Sequence, residues 1–180
     1  MKTTRWTLLT DRDDTFVVGQ FLGRRLLERP EVPRIIAAIG DLGAGKTSLA
    51  QGVARGLGVP SETYVNSPTF ALHQVHQGQV AFHHLDLYRL MDEDELIHLG
   101  FEEVLDHGVS YIEWPQRAPN LIRTTPHFKA ELFYLDEWTH ISVQQTPDDL
   151  PEDGRILRIT GSKKAIQVLI DDQRWQSEER

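Results

Sequence analysis

The chain has 180 residues, 39% hydrophobic and 26% charged, a balance that predicts one folded domain with a buried core. It has no cysteine, no apolar leader and no apolar run near the roughly 20 residues of a membrane span. A cytoplasmic protein without disulfide or thiolate chemistry is therefore expected, and a formal charge of -8 with a pI near 5.4 argues against a chain that grips a phosphate backbone by itself.

WTLL at 6–9 predicts a short strand. Asp13 or Asp14 then opens a helix with Val18, Phe21, Leu22 and Leu26 on one face, and Pro30 and Pro33 end it. RIIAAIG at 34–40 is the unbroken β-favouring run expected of a strand covered on both faces. From Lys46 the period becomes helical through Leu49, Val53 and Leu57, and Gly58 stands at the C-terminal cap position.

Residues 65–78 read as loop running into a strand, and QVAFHHLDLYRL as a strand ending near Asp86. Asp92 caps a helix over 92–100, with Glu95 three residues on completing a capping box. VSYIEW at 109–114 is a strand that ends at Glu113. After Pro119 the pattern predicts antiparallel strands, with KAELFYLDEWTHISVQ turning at Asp136-Glu137 and RILRITGSKKAIQVLI turning near Gly161-Ser162. The acidic stretch TPDDLPEDG between them is an exposed loop. The expected architecture is α/β, a mixed sheet flanked by helices with a parallel core and antiparallel C-terminal strands. It divides into a main domain over 1–160 and an extension over 161–180, a strand plus a frayed tail.

The chemistry begins at GDLGAGKT, residues 40–47, which matches G-x-x-x-x-G-K-[ST] between a buried strand and a helix. Without Cβ atoms, Gly40, Gly43 and Gly45 let the backbone wrap a phosphate chain, with the N–H groups of Asp41, Leu42, Ala44 and Ser48 nearby and the helix N-terminus behind. Lys46 would reach the β- and γ-phosphates and the Thr47 hydroxyl would ligate Mg²⁺. Two acids at strand ends compete for the second metal position, Asp86 and Glu113, and the residues alone leave both open. No N-K-x-D segment reads a guanine, so ATP is favoured. Arg117 and Arg123 are too few for the arginine lid of a small-molecule kinase. His73, His76, His83 and His84 cannot all converge on one zinc ion, because His83 and His84 point to opposite faces of a strand.

GDLGAGKT, SPTF at 67–70, HLDLYRL at 84–90, DELIHLGFEE at 94–103 and IEWP at 112–115, in this order and spacing, resemble the TsaE family of bacterial ATPases over residues 15–119. The resemblance implies a P-loop α/β fold, ATP with Mg²⁺, slow hydrolysis, and action on the TsaB-TsaD pair in making threonylcarbamoyladenosine on tRNA. It implies Thr47 and Glu113 as Mg²⁺ ligands, Asp86 as the acid near the γ-phosphate, and Thr69 on the loop that senses that phosphate. It places Trp114, Thr15 and Arg158 near the nucleotide and has His84 supporting Asp86. Contact with tRNA is expected to be indirect. The alternatives are a nucleotide-dependent switch or adaptor with little hydrolysis, or a small-molecule kinase.

Overall fold

The computed structural model describes residues 1–98, 100–135, 154–171 and 173–177. In chain order the elements are β1 (Lys2–Leu9), α1 (Arg12–Glu28), β2 (Ile35–Ile39), α2 (Lys46–Gly56), β3 (His73–Gln77) and β4 (Ala81–Asp86). There follow α3 (Asp94–His98), α4 (Phe101–Asp106), β5 (Val109–Glu113), a 3-10 turn (Pro115–Arg117), α5 (Pro119–Thr124) and β6 (Phe128–Tyr134). The described chain closes with β7 (Arg155–Ser162), α6 (Lys163–Leu169) and β8 (Gln176–Ser177).

The strands form one eight-stranded sheet in the order β3-β4-β5-β2-β6-β7-β1-β8. The pairs β4-β5, β5-β2 and β2-β6 are parallel, and the remaining pairs at both edges are antiparallel. β2 is buried on both faces: Ile36 and Ala38 join the large core under α1, α2 and α6, while Ile35 joins a second core with Leu85, Leu96, Phe101 and Ile112. A strand in that position has no polar face to show, which is why its sequence is a continuous apolar run.

Three expectations need correction. The cap of α1 is Asp11, whose Oδ1 accepts from the Asp14 N–H at 2.7 Å, while Asp14 Oδ2 accepts from the Thr10 N–H at 3.1 Å. This reciprocal pair starts the helix earlier than Asp13 or Asp14 would. β6 is parallel to β2 and antiparallel only to β7, because α5 carries the chain back to the starting end of the sheet. The turn expected at Asp136-Glu137 and the loop at 146–153 lie outside the described residues.

The third correction is at the C-terminus. Gly161 and Ser162 do not turn a hairpin; they stay in β7, paired with Thr3 and Lys2. The Ser162 side chain then accepts from the Ala165 N–H and caps a helix, not a strand. Ala165, Ile166 and Leu169 fall at helical spacing and are buried in the large core. Trp175 is also buried, and Gln176–Ser177 pairs with β1, so the tail is tied to the sheet through residue 177.

Candidate functional site

The site lies where β2, β4 and β5 end side by side. Because β4 and β5 are parallel and in register, Asp86 and Glu113 are direct cross-strand partners at the same carboxyl edge. The loop after β2 turns over this edge, with Gly43 at φ 81° and Gly45 at φ 101°, left-handed angles that a side chain resists. Gly45 then begins α2, so Lys46 and Thr47 occupy its first turn. The result is a cleft of about 350 Å³ whose chemistry comes from Lys46, Thr47, Ser67, Thr69, Asp86 and Glu113.

Lys46 is 5% exposed. Its Nζ donates to the Gly40 carbonyl at 2.8 Å and the Asp41 carbonyl at 2.7 Å, and lies 4.3 Å from the centre of the Trp114 ring. Burial lowers its pKa from the ordinary lysine value, and the carboxylates of Glu113, Asp86 and Asp41 oppose that shift. Trp114 takes the left-handed φ of 57°, uncommon for a bulky residue, and packs against Tyr88 with ring centres 5.0 Å apart.

Two carboxylates are held by two separate networks. Glu113 Oε1 accepts from the Thr47 hydroxyl at 3.0 Å and pairs with His84 Nε2 at 2.9 Å. Asp86 Oδ2 accepts from the hydroxyls of both Ser67 and Thr69, the latter at 2.7 Å, and Oδ1 accepts from the Tyr88 N–H at 2.9 Å. Thr47 and Glu113 are the hard oxygen donors that Mg²⁺ selects, already in mutual contact at the rim of the glycine loop. The donor set therefore fits that ion.

A family model described as "Threonylcarbamoyl adenosine biosynthesis protein TsaE" matches residues 9–146. The chain belongs to the TsaE family. The TsaE match runs well past the 15–119 of the motif resemblance. The tRNA threonylcarbamoyladenosine biosynthesis protein TsaE of Synechocystis is 40% identical over 104 residues, covering 55% of this chain and 65% of that protein. The Nostoc TsaE is 35% identical over 136 residues, covering 72% of this chain and 78% of the relative. The crystal structure of YdiB from Bacillus subtilis superposes with a TM-score of 0.59 at 20% identity, over 94% of this chain and 93% of that one, a likeness of fold. No helix among the described residues is long and apolar enough to cross a membrane.

Of the residues expected from the glycine-loop motif and from the TsaE resemblance, the cleft brings together Leu42, Gly43, Gly45, Lys46, Thr47, Ser48, Thr69, Asp86, Glu113 and Trp114. Gly40 and Asp41 contribute carbonyls to Lys46, and Ala44 is buried beneath the loop. Thr15 and Arg158 do not line the cleft. Thr15 is buried behind Gly45 with its hydroxyl donating to the Asp11 carbonyl at 2.9 Å, and Arg158 Nε donates to Glu131 at 3.0 Å. The resemblance has His84 supporting Asp86, whereas its ring contacts Glu113, because the side chain points across β4 to β5.

Three participants escaped the sequence reading. Ser67 and Tyr88 sit inside the quoted SPTF and HLDLYRL stretches, and their spacing to Thr69 and Asp86 was the available signal. Tyr111 left no signal: it reads as an apolar core residue, yet its hydroxyl donates to the Lys46 carbonyl at 2.8 Å and ties β5 to the first turn of α2.

Proposed function

We propose that the protein is a Mg²⁺-dependent ATPase of low intrinsic activity that acts on the TsaB-TsaD pair in the threonylcarbamoyl modification of tRNA, in the cytoplasm. The observation that carries this reading is the convergence of Lys46, Thr47, Glu113 and Asp86 on one cleft under the glycine loop. The loop N–H groups would surround the phosphates, and Lys46 would exchange the Gly40 and Asp41 carbonyls for β- and γ-phosphate oxygens. Thr47 and Glu113 would hold Mg²⁺. Held by these residues, the ion would supply charge neutralisation at the phosphates.

Asp86 would accept a hydrogen bond from the attacking water and orient it towards the γ-phosphorus. Its Oδ1, which accepts from the Tyr88 N–H, keeps a second lone pair for that water, while Oδ2 accepts from the hydroxyls of Ser67 and Thr69. Those two hydroxyls tie the loop carrying Ser67 and Thr69 to the acid beside the phosphates, which also supports the second reading, a nucleotide-dependent switch with little hydrolysis. Nucleotide contacts from Thr15 and Arg158, which lie outside the cleft, would require the bound base to extend past it. Their partners TsaB and TsaD would supply the tRNA contact, in keeping with the net charge of -8 on this chain.

The test is phosphate release from ATP by the purified protein, with and without Mg²⁺ and the TsaB-TsaD pair, with Lys46→Ala as the blank. Stimulation by the pair that vanishes in the variant supports the coupled ATPase. Tight ATP binding with release never above the blank leaves the switch reading and removes the hydrolytic role of Asp86.

A further inference from the structure

His84 contacts Glu113 of the site, has no part in the proposed reaction, and is fully buried. Its ring is wedged between aromatic neighbours, edge-on to Tyr111 with centres 5.8 Å apart and 5.9 Å from Phe82. Among the described residues Nδ1 is buried with no hydrogen-bond partner, so Nε2 makes the only polar contact of the ring there, to Glu113 Oε1 at 2.9 Å. A carboxylate oxygen only accepts, hence Nε2 carries the hydrogen. A polar ring in an apolar surround is costly, and a leucine would fill the space without an orphaned nitrogen. What the imidazole adds is one directed N–H.

That N–H decides how Glu113 is presented. Oε1 takes two donors, His84 and Thr47, whereas Oε2 has only the longer 3.4 Å contact with Thr47. The single hydrogen of the Thr47 hydroxyl points at Glu113, which turns its lone pairs to the cleft. Remove His84 and Thr47 alone would have to fix the carboxylate while also serving a cation. We propose that His84 is a positioning residue for the cation site, holding Glu113 through Nε2–H so that Glu113 and Thr47 present a preformed pair of oxygen donors. The inference rests on the Mg²⁺-ATP reading above and goes beyond it by naming what orients the metal-holding carboxylate.

The experiment is calorimetric ATP binding by the full chain, in Mg²⁺ and in EDTA, for the wild type, His84→Gln and His84→Leu. The Gln amide nitrogen reaches about as far as Nε2 and can donate to Glu113; Leu cannot. In EDTA all three should bind ATP alike. In Mg²⁺ the wild type and His84→Gln should gain affinity, and His84→Leu should lose about 10- to 100-fold of that gain. A second measurement needs no His84 variant: Mg²⁺ added to nucleotide-free wild type should shift the His84 ring nitrogen resonance, and should not do so in Glu113→Gln. Full Mg²⁺ gain in His84→Leu, loss in Gln equal to that in Leu, or an unmoved His84 resonance in the wild type overturns the positioning role. A wild type that gains nothing from Mg²⁺ overturns the metal reading itself, and the inference with it.

Discussion

At the scale of single residues, the first turn of α2 depends on groups that the phosphate motif does not contain. Tyr111 is completely buried, and burial first, then the nearby Glu113 carboxylate, pushes its pKa well above the ordinary tyrosine value. It therefore stays a donor to the Lys46 carbonyl across the working pH range. Tyr111→Phe should lower stability by about 1 kcal/mol in urea unfolding, the net worth of one buried hydrogen bond. The histidines of β3 and β4 make an opposite kind of contribution. Burial lowers the pKa of His73, His76 and His83, reinforced by His83 and His84 around His73 and by His84 and Arg55 around His76, whereas at His83 a hydrogen bond with the His107 backbone opposes the shift and the His107 side chain adds to it. A base whose folded pKa is depressed stabilises the fold above its unfolded value, near 6.5, and loses that contribution as pH falls towards the folded value. The melting temperature should accordingly drop between pH 7.5 and 5.5, and the drop should shrink in His76→Phe, which keeps the stacking on Phe82 and removes the orphaned Nε2. A pH-independent melting temperature would contradict this.

At the scale of elements, the helix that carries Lys46 and Thr47 is clamped to α1 by paired glycines. A Cβ on Gly52 would lie 2.1 Å from the Phe16 carbonyl oxygen, and one on Gly19 2.4 Å from that of Leu49. Gly23 and Gly56 repeat the arrangement one turn on, at 2.2 Å from the Val53 oxygen and 2.3 Å from the Gln20 oxygen. The obstacles are backbone atoms, so relief requires the helices to part. Gly52→Ala should cost about 3 kcal/mol by the overpacking mechanism and weaken ATP binding as well, since α2 positions the phosphate-facing residues. Unchanged stability would mean that the two helices are not so closely set. This contact was written in the chain as Gly19-x-x-x-Gly23 and Gly52-x-x-x-Gly56, but apolar periodicity registers large side chains and passes over the absence of one. The cap of α1 escaped for a related reason: with Asp11, Asp13 and Asp14 so close together, composition marks the helix start and only geometry selects the residue.

At the scale of the whole molecule, the strands and the phosphate loop were legible because each carries a local signal: β2 as an apolar run, α2 as a period change, Asp86 and Glu113 as acids ending strands. Direction and partnership were not, because β6 runs parallel to β2 through a crossover that leaves no mark in its own residues. The C-terminal helix was missed because Gly161-Ser162 fits a hairpin turn and a helix cap equally well from sequence. Its buried Ile166 gives a test of whether α6 is integral: Ile166→Ala should cost about 2–4 kcal/mol, whereas a loose appendage would cost nothing. The central claim, that one acid works on the water while the loop and Thr47 with Glu113 hold the nucleotide, is tested most directly by ATP affinity and phosphate release measured side by side on Asp86→Asn. Affinity should stay close to wild type while release falls to the level of Lys46→Ala. Release at the wild-type rate, or loss of ATP binding together with release, would contradict it.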